Sequence, residues 1–181
     1  IVGKSVAVIG VGPIGLMAVA VAKACGAGMI VAADVNPYRL KMAARMGADA
    51  TVNSKETPFV DAIRELTGGE GIEVVLEMSG NPSAIREGFE AAANAGRVSL
   101  LGIPAQEVSL DLARHIIFKG LRVVGITGRR MYETWYQMKA LLDQKRIDLS
   151  PLVTHKFTLD RYEEAFELMA TGRCGKIVFV H

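Results

Sequence analysis

The sequence has little cysteine and histidine, and neither residue type occurs in a metal-binding pattern. Cys25 and Cys174 are the two cysteines, and they lie far apart and outside any Cys-x-x-Cys motif. They therefore predict neither a zinc site nor a disulfide framework, and isolated cysteines are typical of a reducing compartment. His115, His155 and His181 have no ligand spacing among themselves or with the cysteines. We expect a cytoplasmic protein with no metal site in these residues.

A strong excess of one charge is also absent. The 21 Lys and Arg residues and 19 Asp and Glu residues are interspersed and give a net charge of +2, so no basic surface for nucleic acid is predicted. The span 6–22 carries no charge, but three glycines and a proline interrupt it, which argues against a membrane helix. No signal peptide is visible. We expect a protein that binds neither nucleic acid nor membrane.

A glycine-rich loop follows the first predicted strand. Gly10, Gly12 and Gly15 form the pattern Gly-x-Gly-x-x-Gly between an apolar stretch and Ala/Val-rich helical sequence. In this setting the glycines allow a tight turn, close approach of a pyrophosphate, and close packing of helix on strand. Pro13 suits the first helical turn, where the free amides of Ile14 and Gly15 would face phosphates. These five residues are predicted to bind a dinucleotide; the alternative is a tight turn without ligand.

Asp34 indicates which dinucleotide. It ends the predicted strand 29–33 and lies nineteen positions after Gly15, where a carboxylate accepts hydrogen bonds from the adenosine ribose of NAD. The 2′-phosphate of NADP would be repelled there, and the three residues that follow include no basic side chain. The alternative is a helix N-cap or turn carboxylate. The sequence thus predicts NAD as the cofactor.

Strands and helices alternate up to residue 126. Predicted strands lie at 6–9, 29–33, 48–53, 73–77, 97–101 and 122–126. Predicted helices lie at 13–24, 38–46, 57–66, 83–93 and about 112–118. Such alternation predicts an α/β fold with a doubly wound, six-stranded parallel sheet of the Rossmann type and right-handed crossovers.

The pattern changes after about residue 128. A helix at 131–145 carries Trp135, which we interpret as a packing or interface residue. A strand at 153–157, a helix capped by Asp160 and a strand at 175–180 follow. These elements add nothing to a completed six-stranded sheet. We therefore predict a nucleotide-binding domain in residues 1–130 and a C-terminal helix and return segment in residues 131–181, which meets another domain.

Several stretches resemble zinc-type medium-chain alcohol dehydrogenases, and within that family the threonine dehydrogenases. They are residues 10–17, 34–40, 101–104, 117–121, 131–138, 149–151 and 154–157. The glycine loop and Asp34 are shared by many dehydrogenases. The stretches Lys-Gly-Leu at 119–121 and Met-Tyr-Glu-Thr-Trp-Tyr at 131–136 favour the threonine branch. The resemblance covers essentially the whole chain.

The resemblance implies the cofactor-binding half of an enzyme that oxidises L-threonine to 2-amino-3-oxobutanoate with NAD, by zinc-assisted hydride transfer. It implies that the Ile14 amide contacts the pyrophosphate and that Asp34 and Arg39 hold the adenosine ribose. The residues implied on the nicotinamide side are Leu101, Gly102, Ile103, Ile126 and Thr127. The family's zinc ligands and proton-relay residues belong mostly to the region before this one. Zinc is therefore expected in the parent enzyme, and no catalytic residue is predicted here.

Self-association is a further implication of the resemblance. The family's cofactor domain pairs its outer edge with a two-fold mate, and the alternating segment 108–112 is expected at that edge. We expect a homo-oligomer, either a dimer or a tetramer. Because the chain begins at Ile1 directly before a strand, we expect a piece of a longer protein. The alternatives are a related polyol or butanediol dehydrogenase and a non-catalytic nucleotide-binding or oligomerising module.

Overall fold

A parallel sheet of six strands forms the centre of the computed structural model, which describes residues 1–181. The spatial order of the strands is β3-β2-β1-β4-β5-β6. Their bounds are β1 Ser5–Ile9, β2 Met29–Asp34, β3 Ala50–Asn53, β4 Ile72–Glu77, β5 Ala92–Leu100 and β6 Arg122–Gly125. The predicted doubly wound fold is confirmed. The strand order reverses between β1 and β4, which is where such folds place their ligand.

Helices cover both faces of the sheet because successive strand side chains point to opposite sides. The helices on the sheet are α1 Pro13–Ala24, α2 Pro37–Arg45, α3 Phe59–Leu66 and α4 Pro82–Ala91. Val6 and Val8 of β1 pack in one buried cluster with α1 and α2, whereas Ala7 and Ile9 pack in a second cluster with α3 and α4. None of the helices combines the length and apolar character that crossing a bilayer requires.

Asparagine followed by proline starts two of these helices. The Asn36 side chain accepts a hydrogen bond from Tyr38 N at 2.9 Å at the start of α2, and the Asn81 side chain similarly caps α4. Both are efficient N-caps, with proline at the first helical position. Asn36 has a second partner, because its Nδ2 donates to Gly172 O at 2.9 Å. The C-terminal segment is thereby joined to the start of α2.

The transition from α4 to β5 differs from the prediction. The helix was predicted to continue to residue 93 and the strand to begin at residue 97, but β5 starts at Ala92, which pairs with Ile72. The strand then shifts register, with Ala95 at a φ of 57°. Lys119 makes the abrupt change feasible, since its ammonium donates to the carbonyl oxygens of Phe89, Glu90 and Ala92 at the end of α4.

The segment before β6 contains one helical element. Residues 108–112, which were expected at the outer edge, form no strand, and Val108 and Leu110 pack against the core on the α3/α4 face. The helical segment predicted at about 112–118 is confirmed, as a π-helix over Ala113–Ile117. Its wide turn places His115 Nε2 at 3.1 Å from a Glu90 oxygen on α4.

The C-terminal elements form a separate parallel sheet of two strands, β7 (Val153–Thr158) and β8 (Lys176–Val180). Helix α6 (Tyr162–Ala170) connects them, and helix α5 (Glu133–Asp143) precedes them. Asp160 does not cap α6 as predicted, because a 3₁₀ turn intervenes and Arg161 occupies the N-cap position. Helix α5 is shorter than predicted at both ends because Tyr132 and Lys145 adopt positive φ values, which a continuous helix excludes.

Candidate functional site

A cleft of about 360 Å³ opens at the carboxyl ends of β1, β2 and β4. The glycine loop forms its floor, and the end of β2 and the first turns of α4 form its walls. The residues that line it include Gly10, Gly12, Asp34, Arg39, Ser79 and Glu87. The cleft therefore lies at the point where the strand order reverses, as the sequence predicted for a dinucleotide.

Two of the loop glycines are required by close packing. Gly10 has a φ of 87°, and a Cβ there would lie 2.7 Å from the Ser79 Cβ. A Cβ on Gly15 would lie 2.1 Å from the Gly10 carbonyl oxygen, closer than any real contact. Gly12 is different, because a Cβ on it would meet no atom within 4 Å. The space at Gly12 is open, so a ligand can approach the backbone there.

The start of α1 has free backbone amides. Gly12 occupies the N-cap position and Pro13 the first helical position, and no side chain caps the helix. The first amide that bonds within this turn is that of Leu16, to Gly12 O at 2.9 Å. The amides of Ile14 and Gly15 thus remain as donors at the positive end of the helix dipole. This arrangement suits a phosphate group.

Asp34 is nearly buried at the end of β2 and organises the loop. One carboxylate oxygen accepts a hydrogen bond from Val11 N at 2.9 Å, and the other accepts one from Asn36 N at 2.9 Å. Asp34 therefore acts as a turn carboxylate, which was one of the alternatives for this residue. The other alternative does not hold, because Asn36 and not Asp34 is the N-cap of α2. A carboxylate has about four lone-pair sites, so about two remain for a ligand, and Asp34 lines the cleft.

Arg39 reaches the same part of the cleft from α2. Its Nη1 lies 3.9 Å from the Asp34 carboxylate, and its Nε is buried without a hydrogen-bond partner. Buried donors in folded proteins are nearly always paired. A donor beside a carboxylate with free lone pairs fits a ligand that carries vicinal hydroxyl groups, such as a ribose.

The predicted nicotinamide-side residues lie at the ends of β5 and β6 and outside the main cleft. Ile103 is 91 % exposed. With Ser79, Gly80 and Asn81 it lines a second cavity of about 500 Å³. Since Ser79 and Asn81 line both cavities, the two adjoin.

Close contacts fix the turn after β5 in place. A Cβ on Gly102 would lie 2.1 Å from Gly80 N, so the turns after β4 and β5 touch through their backbones. Ile126 and Thr127 follow β6 at the same edge and are exposed. The Ile126 amide still bonds to Leu100 O at 2.8 Å.

The family model for zinc-binding dehydrogenases matches residues 13–144. The chain belongs to the zinc-binding dehydrogenase family. The family resemblance inferred from the sequence is therefore confirmed, and the matched range includes most of the cleft.

Relatives within the family share nearly all of this chain. L-threonine 3-dehydrogenase of Bacillus subtilis is 49% identical over 178 residues, which cover 98% of this chain and 51% of that protein. The enzyme of the same name from Pyrococcus furiosus is 46% identical over 181 residues, covering 99% and 52%. The crystal structure of 2R,3R-butanediol dehydrogenase from B. subtilis superposes with a TM-score of 0.90 at 30% identity, covering 99% and 52%. The chain spans about half the length of the curated relatives it matches.

Zinc does not fit the residues of this zinc-binding dehydrogenase chain. No group of three or more His, Cys, Asp or Glu side chains is placed to hold a metal ion. Cys174 is buried and Cys25 half-buried, and both are free thiols. The side chains of this chain therefore provide no set of zinc ligands.

Five polar residues that line the cleft were not predicted as site residues from the sequence: Ser54, Ser79, Asn81, Ser83 and Glu87. Burial raises the pKa of the Glu87 carboxyl, and the nearby Arg86 only partly offsets this. The available signal was the helical spacing of Ser83, Ala84 and Glu87, which places one face of α4 over the cleft. This spacing identifies cleft residues only when β4 is known to lie beside β1, because that strand order brings α4 to the cleft.

Proposed function

We propose that this chain is the NAD-binding half of an L-threonine 3-dehydrogenase. The observation that carries the proposal is the Asp34 carboxylate, which lines one cleft together with an open backbone position at Gly12. The L-threonine 3-dehydrogenases from Bacillus and Pyrococcus support the substrate, since they are 45–50% identical to the chain over nearly its full length. NAD supplies the hydride acceptor when it is bound.

Each part of NAD has residues suited to it. The amides of Ile14 and Gly15 would bind the pyrophosphate, with Gly10, Gly12 and Pro13 shaping the loop around it. Asp34 would accept hydrogen bonds from the adenosine ribose hydroxyls, and the unpaired Arg39 Nε would donate one. The residues we place at the nicotinamide ring are Leu101, Gly102, Ile103, Ile126 and Thr127. They orient the ring and exclude water from one of its faces.

Cofactor preference is the direct test of this proposal. We expect NAD to bind at least about tenfold more tightly than NADP, because a 2′-phosphate would displace the ribose hydrogen bonds of Asp34 and face its negative charge. Asp34→Ala should remove the preference. Asp49→Ala is the matched control, since Asp49 also accepts a backbone hydrogen bond, from Ile30, but lies outside the cleft. Calorimetric titration with both nucleotides measures the ratio, and equal affinities in the unchanged protein would contradict the proposal.

The substrate assignment has its own assay. The protein together with its zinc-binding half should form 2-amino-3-oxobutanoate from L-threonine with NAD. Butane-2,3-diol is the comparison substrate, because the superposed butanediol dehydrogenase shares the fold at lower identity. Faster turnover of the diol would assign the chain to that activity instead.

The C-terminal segment presents a surface suited to the other half of the enzyme. Phe166 and Met169 of α6 and Phe179 of β8 are large apolar side chains that are exposed in this chain. Phe166, Met169 and Phe179 also line one cavity together. Contiguous exposed apolar residues mark an interaction surface. We assign residues 131–181 to contact with the catalytic domain, beside a nucleotide-binding domain of residues 1–130.

Dimer formation through β6 is part of the same proposal. The strand pairs with β5 on one side only, and all four of its residues are exposed. Ile126 N bonds to β5, so alternation along the strand directs the N–H groups of Val123 and Gly125 to the free edge. A free edge with apolar side chains is normally covered, and a two-fold axis would pair β6 with its own copy. This edge replaces segment 108–112 as the proposed interface.

Val123→Pro should convert a dimer into a monomer. Proline removes an N–H that points away from β5, so the interior hydrogen bonds of the sheet persist. Val123→Thr is the control, because threonine keeps both the N–H and the branched shape. Light scattering over a range of micromolar concentrations distinguishes the states. A monomer mass for the unchanged protein, or a dimer that survives Val123→Pro, would refute pairing through this edge.

A further inference from the structure

Glu77, the last residue of β4, is a buried acid with no cationic partner. Its side chain is fully buried. Its Oε1 accepts hydrogen bonds from Ser79 N at 2.8 Å and from the Ser79 hydroxyl, and Gly80 N donates to it at 3.1 Å. None of the ion pairs in the chain includes Glu77. The amides of Ser79 and Gly80 can only donate, so Glu77 Oε1 acts as the acceptor toward both.

The Glu77 carboxylate lies directly beneath the turn that we place at the nicotinamide ring. A Cβ on Gly102 would come within 2.6 Å of Glu77 Oε2. The main-chain oxygen of Glu77 accepts hydrogen bonds from Leu101 N at 2.9 Å and Gly102 N at 3.1 Å. One residue therefore holds the turns after β4 and β5 together, at the point where the two cavities adjoin.

Holding the turns after β4 and β5 together does not by itself require a charged side chain at Glu77. Three accepted hydrogen bonds offset only part of the cost of burying a carboxylate, and no cation offsets the rest; a neutral amide could accept the same hydrogen bonds without the cost of a buried charge. The missing cation is available from the ligand, because the nicotinamide ring of NAD is positively charged when oxidised. The ring would become neutral on accepting a hydride from the substrate carbon, and the substrate hydroxyl proton would be released to solvent.

We propose that Glu77 is a specificity-determining residue that favours the oxidised over the reduced cofactor, through its unpaired carboxylate beneath the nicotinamide side of the cleft. The inference rests on the proposed NAD-binding function. Loss of the ring's positive charge on hydride transfer removes the attraction. Glu77 thus strengthens the binding of NAD⁺ relative to the binding of NADH.

The test compares the dissociation constants of NAD⁺, NADH and ADP-ribose for the unchanged protein and Glu77→Gln. We expect Glu77→Gln to weaken NAD⁺ binding about tenfold relative to NADH, the size of effect that one unit charge exerts in a partly buried site. ADP-ribose lacks the ring, so its affinity should stay within about twofold. Glu73→Gln is the matched control, because it removes a half-exposed carboxylate from the far end of β4 and should leave the ratio unchanged.

The outcomes separate the two proposals. If the unchanged protein binds none of the three ligands, the NAD-binding function itself is wrong. If it binds them and Glu77→Gln weakens all three equally, Glu77 only supports the structure and the inference is overturned. Should Glu77→Gln unfold, Glu77→Asp decides, since it keeps the charge and should preserve the NAD⁺ to NADH ratio within about threefold. A larger change in that variant would show that turn geometry and not charge sets the ratio.

Discussion

Gly15→Ala is expected to lower the free energy of unfolding by about 3 kcal/mol or more and to abolish NAD binding. The added methyl carbon would lie 2.1 Å from the Gly10 carbonyl oxygen, and that contact is with backbone, which cannot rotate away. Helix α1 must then move off β1, and the amides at its start leave the cleft. Thermal unfolding should show a melting temperature lower by roughly 6–12 °C for a chain of this size.

Gly12→Ala is the matched comparison for this prediction. The same methyl group at Gly12 meets no atom within 4 Å, and the φ of −64° at that position suits alanine. Its stability should therefore change by no more than about 0.5 kcal/mol. Its affinity for NAD should still fall about tenfold or more, since the methyl group occupies the space we assign to the pyrophosphate. Unchanged affinity in Gly12→Ala would place the phosphates elsewhere, and normal stability in Gly15→Ala would contradict the packing argument.

Lys119→Met is the second substitution with a large expected effect, a loss of about 3 kcal/mol. The Lys119 ammonium donates to three carbonyl oxygens at the end of α4, at 2.6–2.9 Å. It supplies the positive charge that a helix C-terminus favours, and its removal leaves those acceptors without their donor. Its burial lowers the pKa of the amine, and Glu90 partly offsets this.

Urea denaturation of Lys119→Met measures this loss through the midpoint of unfolding. Lys139→Met is the control, because Lys139 forms only an exposed pair with Asp143 within α5. Such surface pairs contribute at most about 0.5 kcal/mol. Equal midpoints for the two variants would show that Lys119 does not support the end of α4.

The sheet was predictable from the sequence because its signals are local. Each buried strand is a short apolar run, and glycine or an Asn-Pro pair marks most of the boundaries between strands and helices. Asp34 was predictable for the same reason, since the distance along the chain from Gly15 to the end of β2 places it beside the loop.

Features that depend on distant residues were not predictable. Ala92–Leu100 begins as a strand directly after α4 because Lys119, 27 residues away from Ala92, satisfies the last carbonyl groups of the helix. Residues 108–112 alternate like a strand, yet they pack on the core of the α3/α4 face as an irregular segment. Glu77 could not be identified from the sequence, because it is a single acid in an apolar strand. Its position becomes informative only when the structure shows Gly80 and Gly102 packed against it.

The contact between Asn36 and Gly172 limits how this chain can be recombined with its relatives. Asn36 both caps α2 and donates to the Gly172 carbonyl, and Gly172 has a φ of 67°. A Cβ on Gly172 would lie 2.7 Å from Asn36 Nδ2, so neither position can change freely without the other. A chimera that takes residues 1–130 from one dehydrogenase and 131–181 from another must therefore inherit this asparagine and this glycine as a pair.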